Sequence, residues 1–395
     1  MPRKVAIIGC GMSKFGRRDD KDLMGLLVEA STASLADANI GGKDIDAIYV
    51  SSMLSGELSH QTATASALAD ELSLLPAAAD RIENGPASGG SAVKNAYAAV
   101  ASGLFDTVLV TGGEKMRHVA GATVTDLLAT MTHPTAEYMQ GATLPSLAAM
   151  FTRLYMERYG VEPRHLALVA IKNHRNALKN PYAHIHREIT LEGIYSKPEA
   201  ELNNPVVSDP LRLYYSCPIT DGAASIVITS AENARKFSDA PVAIAGIGQA
   251  TDTLAVHQRE DPTVLRAVQI SSQRAFDMAK SKPKEIDVAE LHDAFEILEI
   301  AESEDAGFFE KGTAHKAVEK GVTALDGDLP INPSGGLKAR GHPVGATGVA
   351  QIVELTWQLR GDAGGRQVSG AEQGYSCNFG GFGNNVLSFV LKRGD

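Results

Sequence analysis

The chain is short of cysteine, of tryptophan and of long apolar runs, and these shortages exclude whole classes of protein. Three cysteines, Cys10, Cys217 and Cys377, are too few for a disulfide framework, and their spacing fits no zinc site. No basic segment leading into an apolar stretch opens the sequence, and no apolar run approaches the ~18 residues of a membrane helix. Positive charge is also scarce. With 37 Lys and Arg against 47 Asp and Glu the net charge is −10. That argues against nucleic acid and leaves any anionic ligand to local Lys and Arg. His60, His118, His133, His184 and His186 are scattered and form no metal constellation. Ile8-Gly9-Cys10-Gly11 lacks the third glycine of a dinucleotide-binding turn, and Lys14-Phe15 fills that region. A globular, soluble, cytoplasmic protein without membrane contact is expected, since 44% of the residues are hydrophobic and 21% charged.

What is present is an α/β pattern stated twice. Residues 5–11 form a short apolar run ended by glycines, which predicts a buried strand. Leu23, Leu26, Leu27 and Ala30 then make the stripe of a core-facing helix over 22–38, and 46–50 returns to strand. A tightly packed helix is predicted over 87–102 and a strand over 107–111. Strand and helix alternation points to parallel βαβ units. The opening run returns as Val242-Ala-Ile-Ala-Gly-Ile-Gly248, followed by a helix over 263–280 with Asp261 as N-cap and Pro262 in its first turn. Lys43-Asp-Ile-Asp46 returns as Lys284-Glu-Ile-Asp287, and the glycine-rich helix start at 87–92 returns at 345–349. Three echoes in one order read as duplication. The expected units are 1–115 with 216–240, an inserted loop or cover segment 116–215, and 241–395. The insertion carries helices near 147–158 and 163–178, then a polar stretch with Pro181, Pro198, Pro205 and Pro210.

The chemistry concentrates in the last part. Asn332-Pro-Ser-Gly-Gly-Leu-Lys-Ala-Arg-Gly-His342-Pro-Val-Gly-Ala-Thr-Gly348 holds one histidine between two glycine clusters, just before a helix over 346–360. Glycines let backbone approach a ligand, and helix-start N–H groups favour negative charge.

These segments, with Asn84-Gly-Pro-Ala-Ser-Gly-Gly90, His292-Asp-Ala-Phe295 and Cys377-Asn-Phe-Gly-Gly381, resemble the thiolase superfamily over nearly the whole chain. The likeness is nearest to the archaeal and sterol-carrier-like branch. It implies a duplicated five-layer αβαβα fold with the site between the halves, homodimers or tetramers, and coenzyme A or acyl-CoA as substrate without a resident cofactor. It also implies C–C bond making or breaking next to the thioester. A small OB-fold, zinc-ribbon partner protein accompanies some archaeal-type members. By resemblance His342 activates the nucleophile and donates to an enolate oxygen, and His292 orients a donor to the same oxygen. Cys377 is the acid/base thiol, because the cysteine that sterol-carrier-like members carry in the His-Asp-x-Phe segment is Ala294 here. Gly335, Gly336, Gly380 and Gly381 belong to the substrate loops. Arg175, Lys179, Arg187 and Arg212 are candidates for CoA phosphates. The small apolar stretch 117–150 is expected to cover a roomy acyl pocket.

The departure from the family lies at Pro86, where thiolases keep the acyl-carrying cysteine. Proline has neither nucleophile nor backbone N–H, so an oxyanion donor goes as well. Losing one such donor costs about 10²–10³ in rate. Ser88, inside the first helical turn, is a poor substitute. An enzyme that forms an enolate but no acyl-enzyme is expected, running aldol/retro-aldol or direct Claisen/retro-Claisen chemistry. The alternatives are a non-catalytic thiolase-like subunit of a hetero-oligomer and a conventional acetyltransferase with an altered nucleophile position.

Overall fold

The structure is a computed structural model that describes residues 2–195 and 203–394, so Pro198 lies outside the described residues. The first unit opens with strand β1 (Val5–Met12), buried throughout, then helix α1 (Leu23–Asp37). Asp22 caps that helix by accepting from Gly25 N–H, and the predicted stripe of Leu23, Leu26, Leu27 and Ala30 faces the core. Strands β2 (Ala47–Ser51) and β3 (Ala78–Ile82) precede helix α2 (Ser88–Ser102) and β4 (Thr107–Glu114).

Residues 116–215 supply three longer helices, α3 (Gly121–Ala129), α4 (Leu144–Tyr159) and α5 (Pro163–Ala177), and a small hairpin of β5 (Val206–Ser208) and β6 (Leu211–Arg212). Among the described residues none of this segment joins the main sheet. The chain returns to that sheet with β7 (Gly222–Ser230) and β8 (Val242–Thr251). Helix α6 (Arg266–Ala279), β9 (Val288–Glu290), α7 (Glu296–Asp305), α8 (Thr347–Arg360), β10 (Gln373–Gly380) and β11 (Asn385–Arg393) complete the second unit.

Nine strands form one sheet in the order β3-β2-β4-β7-β1-β8-β11-β10-β9. The repeated runs 5–11 and 242–248 lie side by side at its centre, where β1 and β8 pair antiparallel through Ala6 and Ala243. The sheet is mixed, not parallel as the alternation suggested. Pairs β2/β3, β2/β4 and β9/β10 are parallel, whereas β4/β7, β7/β1, β8/β11 and β10/β11 are antiparallel. β11 follows β10 as a hairpin, and β7 comes back antiparallel beside β4 only after the intervening segment 116–215.

Helix α1 packs on β1, β7 and β4, and α6 packs on β8 and β11. Helices α2 and α8 meet each other between the two halves, giving five layers, α-β-α-β-α. That central contact needs glycine. A Cβ on Gly348 would stand 2.3 Å from Gly90 N and from Asn378 Oδ1.

One predicted boundary moves. Helix α6 starts at Arg266, not 263, because Asp261 is used locally. Its Oδ1 accepts from Thr263 N (2.9 Å) and Oγ1 (2.7 Å), and its carbonyl from Val264 N (3.1 Å), closing a turn before the helix.

Candidate active site

A cavity of about 510 Å³ opens where the two halves and segment 116–215 meet. Its floor carries Pro86, His292, His342 and Phe379, and Met116, Val119, Leu128 and Met131 cover it. The volume suits a small organic ligand.

His342 reaches the cavity on a glycine-flanked loop pinned from behind. Glu114, buried at the end of β4, accepts from Ser52 Oγ (2.8 Å), Met53 N (2.9 Å), Leu54 N (3.1 Å) and Gly345 N (3.1 Å). Burial pushes this carboxyl up to about 7 against those four donors. His342 Nδ1 lies 2.6 Å from Thr347 Oγ1, and Thr347 lies 3.0 Å from the Pro343 carbonyl. The Thr347 hydroxyl has one proton and the carbonyl can only accept. The hydroxyl therefore donates to Pro343, and Nδ1–H donates to the hydroxyl. That leaves Nε2 of His342 as a bare lone pair.

His292 has the opposite state. Its Nδ1 faces two donors, Asn378 Nδ2 at 3.4 Å and Phe379 N at 3.5 Å, so the ring proton sits on Nε2. Its ring stacks on Phe379 (centroids 5.2 Å, 9°) and stands at 90° to His342, centroids 5.0 Å apart. Its backbone N–H donates to both Glu302 oxygens, at 2.8 and 3.1 Å. Burial lowers both imidazoles, His342 to about 3 with Arg340 assisting, and His292 well below 6.5 with His342 and Arg340 assisting. Both rings are therefore neutral at physiological pH.

A buried polar frame holds these loops. Arg340 pairs with Glu290 at 2.9 Å with neither side chain exposed, and Glu290 also accepts from Ser334 Oγ (2.8 Å). Asp293 accepts from Leu337 N (2.7 Å) and Asn173 Nδ2 (2.8 Å). Gly336 exists for this wrap, since a Cβ there would meet the Asp293 carboxylate at 2.2 Å. Gly335 packs on Ala177, so neither glycine faces the cavity, contrary to their expected place in a substrate loop. Gly381 does line it, while Gly380 packs on Asn84 and Ala87.

The remaining expectations divide. Pro86 lines the cavity, and its carbonyl accepts from Asn378 Nδ2 at 3.1 Å. Ser88 does not line it. Its hydroxyl donates to the Gly85 carbonyl (2.6 Å) and accepts from Asn84 N (2.8 Å), so it is fully occupied. Cys377, 0% exposed, also stays outside the lining, with its thiol 3.9 Å from Ser388 Oγ in a cluster with Tyr375 and Ser272. Burial first and Glu302 second push that thiol up. The sequence placed Cys377 by the run of residues around it, but Cys377 and Phe379 share one face of β10, and it is Phe379, two residues further along the strand, that reaches the cavity while Cys377 stays in the apolar core.

None of Arg175, Lys179, Arg187 and Arg212 lines the cavity. Arg175 faces Glu188 at 3.7 Å, and Arg212 donates to the Asn204 carbonyl (3.0 Å). Arg117 and Cys217, neither singled out from the sequence as a site residue, are both in the lining. Arg117 follows β4 and donates to the Ile219 carbonyl (3.1 Å). Among the described residues no cluster of His, Cys, Asp and Glu could hold a metal, and no helix is long and apolar enough to cross a membrane.

Comparison with known proteins agrees in both halves. The family model for the thiolase N-terminal domain matches residues 5–232, and the thiolase C-terminal domain-like model matches 248–393. The acetyl-CoA acetyltransferase of Methanothermobacter thermautotrophicus is 43% identical over 391 residues, 99% of this chain and 100% of that protein. Sterol carrier protein 2 of Bos taurus is 30% identical over 408 residues, 99% of this chain and 72% of that protein. Among solved structures the Ltp2-ChsH2(DUF35) aldolase superposes with a TM-score of 0.83 at 23% identity, covering 99% of this chain and 98% of that one.

Proposed function

The chain belongs to the thiolase superfamily, and from that premise we propose that it makes or breaks a carbon–carbon bond α to a CoA thioester through an enolate, without an acyl-enzyme at position 86. One observation carries this reading. The cavity presents an N–H donor on His292 Nε2 and a lone pair on His342 Nε2, crossed at 5.0 Å, beside a proline that offers neither nucleophile nor N–H. The thioester carbonyl oxygen would accept from His292 Nε2–H. The lone pair on His342 Nε2 would hold a water molecule whose other O–H donates to the same oxygen, so the imidazole need take up no proton. A preorganised donor aimed at the developing oxyanion is the largest single contribution in such chemistry. Neither Ser88 nor Cys377 lines the cavity, and the thiol that does, Cys217, stands on the wall away from the α2 start.

The segment 116–215 would act as the cover over the acyl chain and Arg117 as the cation nearest it. The units would divide as 1–115 with 216–240, 116–215, and 241–395, in a cytoplasmic homo-oligomer of the archaeal or sterol-carrier-like branch. A retro-aldol outcome and a hetero-oligomeric partner are favoured by analogy with the Ltp2-ChsH2(DUF35) aldolase, whose name carries both. A conventional acetyl transfer is the second reading, favoured by the acetyl-CoA acetyltransferase relative. The test is mass-spectrometric deuterium incorporation at the α-carbon of acetyl-CoA and propionyl-CoA in heavy water, with His342→Ala as the control. Exchange that the control abolishes supports the enolate. No exchange with CoA still bound sinks it in favour of a non-catalytic subunit.

A further inference from the structure

A different thiol from Cys377 lines the cavity. Cys217 stands on its wall with Ser216 and Pro218, facing the space that His292 and His342 also border. The segment lies directly against the His292-Asp293-Ala294-Phe295 turn. Cys217 N–H donates to the Ala294 carbonyl at 2.9 Å, and Ser216 bridges Phe295 as an isolated antiparallel pair. Ala294 offers only a methyl group, so the thiol on this side of the cavity comes from position 217.

The surroundings of Cys217 are unlike ordinary packing. Lys338, 3% exposed, donates from Nζ to the carbonyls of Ser216 (2.7 Å) and Leu213 (3.2 Å), which puts a buried ammonium beside residue 217. Glu296 is fully buried, and neither carboxyl oxygen has a hydrogen-bond partner among the described residues. If ionised, it would raise both the Cys217 thiol and Lys338. Ser216 Oγ, also at the wall, is likewise unpartnered. Unsatisfied buried polar groups cost about 1–3 kcal/mol each, so an orphaned hydroxyl on the wall and an orphaned carboxyl next in sequence to the wall residue Phe295 mark a place built for a ligand.

Resting on the enolate reading above, we propose that Cys217 is the thiol that exchanges a proton with the α-carbon of a cavity-bound acyl thioester, with Lys338 and Glu296 as its proton and charge support. In the cleavage direction the S–H bond breaks and its proton forms the new C–H bond. The enolate pair becomes that bond while the thioester C=O re-forms. The sulfur is left as thiolate beside the Lys338 ammonium and regains a proton from the Glu296 carboxyl, which is replenished by water. Removal of an α-proton is the same step reversed. No oxidant or further co-reactant is needed. Burial pushes the Cys217 thiol up to about 12 and Lys338 opposes it most, so the resting group is a proton donor. Burial also raises Glu296 well above the carboxylate range, which keeps its proton available.

The experiment compares α-deuterium exchange in the wild type, Cys217→Ala, Cys217→Ser and Cys377→Ala, with CoA binding followed by calorimetry. Exchange should fall by about 10²-fold or more in both Cys217 variants while CoA still binds. Saturating propionyl-CoA should protect Cys217 of the wild type from iodoacetamide in peptide mapping, a readout that holds even if the variants fold poorly. Exchange that persists in Cys217→Ala but vanishes in Cys377→Ala overturns this assignment and leaves the enolate reading standing. Labelling of Cys217 unaffected by propionyl-CoA overturns it as well. No exchange in the wild type removes both.

Discussion

Asn378 Nδ2 donates to the Pro86 carbonyl at 3.1 Å, and so one side chain of β10 ties the second half of the molecule to the turn that leads into α2. The same amide nitrogen reaches His292 Nδ1 at 3.4 Å, and its oxygen accepts from Gly90 N at 3.1 Å. Asn378 therefore fixes the backbone at position 86 and the tautomer of His292 together. The geometry around Pro86 is a completed network, with its hydrogen bonds made.

The first prediction concerns that network. Asn378→Asp replaces the donor by a carboxylate, which opposes the Pro86 carbonyl and draws the His292 proton to Nδ1. The thioester would then meet a lone pair where it needs N–H. We expect α-proton exchange to fall by at least about tenfold, the equivalent of one lost hydrogen bond of ~1.4 kcal/mol. Nitrogen-15 shifts of the His292 ring should report Nδ1 as protonated. An unchanged ring tautomer in the variant would refute the account.

Packing at the interface of α2 and α8 gives a second prediction. Gly348→Ala sets a methyl group 2.3 Å from Gly90 N, a backbone atom that cannot swing aside. The helices must separate, and overpacking of this kind costs about 1–3 kcal/mol. The penalty should appear as a lower chemical-denaturation midpoint with the slope preserved, and the exchange rate should drop with it because Asn378 Oδ1 is the other atom displaced. A variant as stable as the wild type would show that the layers can slide apart freely.

Much of this was legible in the sequence because its signals were local. The stripe of α1, the buried run of β1 and its echo in β8 depend on periodicity and composition alone, and all were found. The motif around His342 was equally plain, since glycine on both sides of a histidine has few structural uses. Position along a strand was harder. Cys377 and Phe379 share one face of β10, and which of them reaches the cavity depends on where the cavity meets the strand, which is long-range information. Cys217 was not singled out as a site residue for the same reason. Its importance comes from contact with Ala294 and Lys338, both distant in sequence, and nothing near Pro218 announces it. The start of α6 was misplaced because Asp261 serves an isolated turn with the same chemistry that an N-cap uses.

A third prediction follows from His174. Its Nδ1 lies 2.7 Å from the Arg187 carbonyl, which can only accept, so Nδ1 carries the proton and Nε2 is left buried without a partner among the described residues. Burial first and Lys338 second lower its pKa to about 4, against ~6.5 when unfolded. Between those values the unfolded chain binds the extra proton and the folded chain does not. Stability is thus kept at neutral pH and lost as pH falls from about 6.5 toward 4. This one group should account for about 2 kcal/mol of the loss between pH 7 and pH 5. His174→Gln should flatten the acid limb of the unfolding free energy by that amount in urea titrations. An acid limb as steep as that of the wild type would mean that other groups carry it.

The last prediction restores what position 86 lacks. In the wild type the residue that opens α2 has no thiol, and Ser88 behind it is committed to Gly85 and Asn84. Incubation with acetyl-CoA should therefore leave the intact mass of the protein unchanged. Pro86→Cys places a thiol at the cavity floor beside His342, whose bare Nε2 can take its proton, and it also restores a backbone N–H at the helix start. That variant should gain one acetyl group on the introduced thiol when given acetyl-CoA, and the adduct should disappear when free CoA is added. His342→Ala in the same background should suppress the acetylation by about 10²-fold or more, because the thiol loses its base. The comparison separates the two readings of the site cleanly. An acyl adduct in the wild type would point to conventional transfer through a group other than residue 86. An adduct confined to Pro86→Cys would mean that the cavity binds the thioester in the acyl-transfer pose and that the proline alone diverts it to enolate chemistry.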